Sequence, residues 1–152
     1  MNTFVELKKE NNLSTFKFIL WTLITFGIYQ FVWIYRVNKS IKKLLGVEVK
    51  SNAYIITLII LNYSPFFIAL IGIITSLAFL ESVNSIIDFI SFFILIEWAN
   101  FARYVLTYYS LGEYNIKLKT KSFYIIIFNI FYINYLINYL GDEKRFNANQ
   151  SD

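Results

Sequence analysis

The sequence predicts an all-α fold, an integral membrane helical bundle of about four hydrophobic helices, and three observations carry that reading. Of the 152 residues, 57% are hydrophobic and 20% aromatic. Only 16% are charged, against ~25% in a soluble domain. Uncharged stretches of 18 residues and more recur along the chain, and about 20 apolar residues carry a helix across ~30 Å of hydrocarbon. Sheet is the competing reading for Ile-, Phe- and Tyr-rich sequence. These stretches are too long for strands, and they lack the alternating polarity of barrel strands.

The first candidate helix, 18–36, takes in the uncharged run Phe18 to Tyr35, with Trp21 near one end and Trp33 and Tyr35 at the other, the aromatic ends expected of a span. The second, 53–80, is too long to cross upright at ~1.5 Å per residue. Pro65 within it predicts a kink there, or an interfacial piece before it and a span after it. The third, 88–108, is interrupted by Glu97, Asn100 and Arg103. The fourth, 122–140, has no charge but is diluted by Asn129, Asn134 and Asn138. Residues 1–140 thus read as a single membrane domain and 141–152 as a short polar tail. Basic residues ahead of the first run mimic a secretory signal, but no small-residue cleavage site follows, so an uncleaved anchor is the better reading.

Short cytoplasmic loops collect Lys and Arg. Arg36 to Lys50 holds five bases against one acid, a net +4, and Arg103 to Lys121 holds four against one, a net +3. Glu81 to Asp88 has two acids and no base. Both basic segments therefore belong inside and the acidic one outside. Four crossings, the preferred arrangement, put both termini outside. The N-terminal stretch, with Lys8, Lys9 and Lys17 against Glu6 and Glu10, favours the inside instead. In a second topology the first and fourth segments dip into the inner interface, only the middle two cross, and both termini are cytoplasmic.

Residues Thr25 to Lys39 read T-F-G-I-Y-Q-F-V-W-I-Y-R-V-N-K. Gly27, Ile28, Tyr29, Trp33, Tyr35, Arg36, Asn38 and Lys39 resemble the signature of the domain of unknown function 4234 family, small multi-pass membrane proteins of bacteria. Phe131, Tyr132, Ile133, Asn134 and Asn138 resemble a second motif of that family. The resemblance implies a bacterial multi-pass membrane protein and brings no activity with it.

Read as one continuous helix, Thr22, Thr25, Tyr29, Trp33 and Arg36 share a face at steps of three and four, with Gly27 off it. Thr25, Gly27, Tyr29, Trp33 and Arg36 are therefore a candidate packing or lipid face, Arg36 snorkelling to phosphate. Arg36, Lys39, Lys42 and Lys43 would meet anionic lipid, each gaining ~1 kcal/mol. Nucleic acid is not expected, because the cluster abuts a span and lacks a soluble stacking module.

Glu97 would sit about 12 Å below the outer boundary, a depth at which an ionisable group is a functional candidate by default. Glu97, Asn100, Arg103 and Tyr104 form the candidate buried polar site. Asn134 and Asn138, at spacing four, are candidate interhelical amides, and Ala69, Gly72 and Ser76 a small-residue face.

With no Cys and no His there is no thiolate nucleophile and no imidazole base or ligand. The five glycines never cluster into a phosphate-cradling loop. No catalytic, cofactor-binding or metal site is expected. The functional expectation is a multi-pass component of the bacterial cytoplasmic membrane that binds lipid, a protein partner or its own copies, and is not an enzyme. One alternative is a small ion- or proton-coupled transporter or channel using Glu97 and Arg103, and another is an immunity or defence factor.

Overall fold

A computed structural model describes residues 3–11, 13–75, 79–118 and 120–142. Among these the chain is all-α, with six helices: α1 (Thr3–Asn11), α2 (Thr15–Ile24), α3 (Ile28–Leu45), α4 (Asn52–Thr75), α5 (Phe79–Tyr114) and α6 (Ser122–Leu140). Three of them, α4, α5 and α6, are long and apolar enough to cross a membrane.

The first predicted helix, 18–36, is two helices. The α2 helix starts at the N-cap Ser14, whose hydroxyl accepts from Lys17 N–H, and ends in a tight turn. Gly27 N–H reaches back to Thr22 O (2.8 Å) and Phe26 N–H to Leu23 O (3.1 Å), the paired bonds of a Schellman stop. Phe26 (φ 50°) and Gly27 (φ 87°) are both left-handed, and Gly27 bears that geometry without strain. Thr25 then serves both helices: its hydroxyl donates to Trp21 O (2.8 Å) and accepts from Tyr29 N–H (2.9 Å). The chain reverses here, so α2 and α3 form a V.

The α4 helix runs unbroken through Pro65. Proline removes the N–H that would have bonded Leu61 O, and the Ser64 hydroxyl donates to that carbonyl instead (3.2 Å). α5 begins at Phe79, so the acidic stretch Glu81 to Asp88 is helix and not a loop, and the predicted 88–108 extends at both ends. α4 and α5 make a long antiparallel pair. The Tyr54 hydroxyl is 2.7 Å from Ile94 O near the base, and Gly72 faces Leu80 near the far end.

Within α6 the bounds are those predicted, but the helix is not straight. Asn129 has φ 43° and ψ −120°. The Tyr132 hydroxyl lies near the backbone of Lys121 and the Tyr132 ring lies 5.6 Å from that of Tyr124. Eleven residues of straight helix separate their ends by ~16 Å, beyond the reach of a tyrosine. α6 is therefore a second V, with arms before and after Asn129.

The core joins the two Vs to α1 and to the C-terminal half of α5. Phe18 is fully buried, with its ring 4.5 Å from Trp33 and 5.1 Å from Phe131. Trp33 meets Trp98 edge-on at 6.1 Å. Phe4 and Leu7 bring α1 into the same cluster, and Phe4 packs against Tyr109 and Tyr114. Outside this core, α4 and the first half of α5 leave most of their apolar side chains exposed.

Candidate functional site

The second motif segment packs against the residues at the start of α2. Asn134 is buried and accepts from the Thr15 hydroxyl (2.9 Å) while donating to Leu13 O (3.2 Å). Asn138 donates to Leu13 O (3.0 Å) and to Asn134 Oδ1 (3.0 Å). The candidate amides thus tie the second arm of α6 to the residues that lead into α2. Tyr132 and Tyr135 stack at 6.1 Å along this arm.

The predicted stripe on the first motif does not lie on one helix. Thr22 is on α2, Thr25 and Gly27 build the turn, and Tyr29, Trp33 and Arg36 are on α3. Trp33 is buried and Arg36 exposed. Sequence periodicity assumed a helix that the T-F-G triplet ends. The signal was present, since Gly just past an apolar helical run is a stop, but it was outweighed by the length of the uncharged run.

Glu97 is not deep in the hairpin. Its side chain is 58% exposed and its Oε1 lies 2.5 Å from Lys50 Nζ, level with the entry to α4. Tyr54 adds a hydroxyl 3.0 Å from Oε2, and the Lys50 ammonium stands 4.9 Å from the Tyr54 ring and 5.5 Å from that of Phe101. Arg103 turns away to Ser122 Oγ (3.1 Å). Asn100 donates to Ile96 O of its own helix, and Tyr104 is exposed, stacked along α5 against Tyr108. The four residues of the candidate polar site do not converge. Sequence distance along α5 cannot reveal Lys50, 47 positions away.

The basic residues gather at one end. Lys43 pairs with Glu10 (2.6 Å) and Lys42 with Glu48 (2.7 Å). Arg36 donates to Glu10 O (3.3 Å), and the Asn38 amide holds both backbone groups of Lys50. Lys39 is exposed. The Lys43 ammonium, and after it the Ser40 hydroxyl, holds the Glu10 carboxyl below its ordinary 4.5. At the other extreme, Gly27 approaches the Tyr63 hydroxyl, and the Phe31 and Tyr63 rings are 5.8 Å apart. The tip of the first V therefore reaches halfway along α4. By interpolation between the Tyr54–Ile94 and Gly72–Leu80 contacts, Asp88 stands at this same level. It is exposed, and among the described residues none forms an ion pair with it. Sequence reading assigned Asp88 to an outer loop and so missed it. Ser76, one member of the small-residue face, lies outside the described residues.

Two apolar grooves of about 480 Å³ flank the first V, one between α3 and α4 lined by Phe31, Val32, Ile55 and Ile59, and one between α2 and α6 lined by Ile19, Phe128, Phe131 and Tyr135. Among the described residues, no group of three or more potential metal ligands comes together.

Helices of this length and apolarity, above a base of ion-paired lysines, define an all-α protein of membrane type. The chain belongs to the family described as Domain of unknown function (DUF4234), whose model matches residues 13–133. No curated protein and no solved structure matches the chain.

Proposed function

We propose that this is a multi-pass component of the bacterial cytoplasmic membrane, working by binding and by shape and not as an enzyme. In this reading α4 and the first part of α5 cross the bilayer as a hairpin. The first V enters one leaflet from the basic end and returns to it, the second V stays at that end, and both termini are cytoplasmic. The observation that carries the reading is the placement of charge. Lys17, Arg36, Lys50 and Glu97 mark one level at the ends of the apolar arms, and no Lys or Arg occurs between Lys50 and Arg103, the whole length of the hairpin. Such a base suits the anionic inner leaflet, with Lys39 and its neighbours Arg36, Lys42 and Lys43 near phosphate. Asp88 marks the side of the hairpin on which a protein partner or a second copy would sit, because an exposed carboxyl at mid-bilayer calls for a polar neighbour. Transport through Glu97 and Arg103 has less support, since each is committed to a different partner at the base.

The chain has no cysteine, so single-cysteine mapping needs no background removal. Lys9→Cys and Lys39→Cys should both resist a membrane-impermeant maleimide in intact cells and both react in inverted vesicles. Reaction of the Lys9→Cys variant from outside would restore the four-crossing arrangement and overturn this one.

A further inference from the structure

We infer that the molecule is a wedge that favours, and at high density creates, membrane curved convexly toward its basic base. The inference rests on the arrangement proposed above and adds to it a property of the whole cross-section. In the half of the bilayer next to the base, four helical segments lie side by side: α2, α3, α4 and α5. Among the described residues only α4 and α5 continue beyond the level of Tyr63 and Asp88, because the first V turns back at Gly27 beside Tyr63, while the second turns at Asn129 near the Phe18–Phe131 contact, at the base itself.

The depth follows from helix length. The uncharged part of α2, Phe18 to Ile24, rises ~10 Å. It does not reach far past the middle of ~30 Å of hydrocarbon. The surface of the first V is built for acyl chains, with Phe26 at its tip 93% exposed and Leu23 68%. Charge is confined to the ends of its arms, at Lys17 and Arg36. Helices are 10–12 Å across, so the two additional arms occupy roughly 150–230 Å² of one leaflet with no counterpart in the other. The occupied leaflet must expand relative to its partner, and expansion of one leaflet bends the sheet toward it. The occupant of the exposed V faces in this inference is lipid.

The test uses the full chain carrying Lys39→Cys, an exposed position outside the core. It is reconstituted by detergent removal into phosphatidylethanolamine–phosphatidylglycerol vesicles, which are then fractionated by size. Impermeant maleimide, added before and after detergent, counts base-outward and base-inward molecules in each fraction. The ratio of base-outward to base-inward molecules should be about threefold or more higher in the smallest vesicles than in the largest, the factor that ~0.7 kcal/mol of differential binding produces. An unchanged ratio overturns the wedge. Lys9→Cys, run in parallel, separates the two levels of the proposal. If Lys9 and Lys39 label from the same side and the ratio does not depend on size, only the wedge fails; if they label from opposite sides, the underlying arrangement fails and the wedge with it.

Discussion

Single residues decide how the pieces are fastened. Gly141 is buried where α6 meets α1, and a Cβ there would stand 2.8 Å from the backbone oxygen of Phe4 and 2.4 Å from Lys8 Cβ. Backbone cannot swing aside as a side chain can. Gly141→Ala should therefore displace α1 and lower stability by about 1–3 kcal/mol, seen as a lower detergent-unfolding midpoint and faster amide exchange across residues 3–11; an unchanged midpoint would show that α1 is not docked there. The Lys50–Glu97 pair is partly exposed, so Glu97→Gln should cost about 1 kcal/mol or less. The same variant should leave proton and cation flux in liposomes unchanged, and a change in flux would revive the transport reading. Glu10 adds a pH dependence of known sign. Because Lys43 holds its carboxyl below 4.5, the pairing contributes stability above that value and loses it as pH falls further. Amide protection factors in α1, corrected for intrinsic exchange, should fall on acidification, and Glu10→Gln should flatten the response.

At the scale of the element, two turns carry the architecture. Asn129 sits at φ 43°, a region where a β-branched residue is strongly disfavoured. Asn129→Gly should be neutral or mildly stabilising, while Asn129→Val should lower stability by ~1–3 kcal/mol. If both variants behave alike in thermal unfolding, the second V is not the conformation in the membrane. The contrast also shows what was legible beforehand. The bounds of α6 could be read from its uncharged run, but its reversal could not, because asparagine also lies comfortably in helix and only the Tyr132–Lys121 and Tyr124–Tyr132 contacts reveal the fold-back. Pro65 is the converse case. The sequence advertises a break that Ser64 repairs by satisfying Leu61 O, and a hydroxyl one residue before a proline is a signal that composition alone does not weigh.

For the molecule as a whole, the three tryptophans report on placement. Trp21 is 48% exposed on the first V, whereas Trp33 and Trp98 are buried in the core. Quenchers attached to lipid chains should reach Trp21 and little else, so Trp21→Phe should abolish most of the quenching in vesicles. Strong quenching by aqueous iodide, absent with lipid-bound quenchers, would place the first V in water.

The sequence by itself determined the helical class, the membrane character and the ends of the apolar runs, because each is set by composition over a window of neighbours. It also brought forward Asn134 and Asn138, since spacing on one helix is a local property. Only the tertiary structure decided that two of the runs double back, that Glu97 belongs to Lys50 and not to Arg103, and that among the described residues Asp88 has no ion-pair partner. Those outcomes depend on contacts between residues dozens of positions apart, and no local window contains both partners.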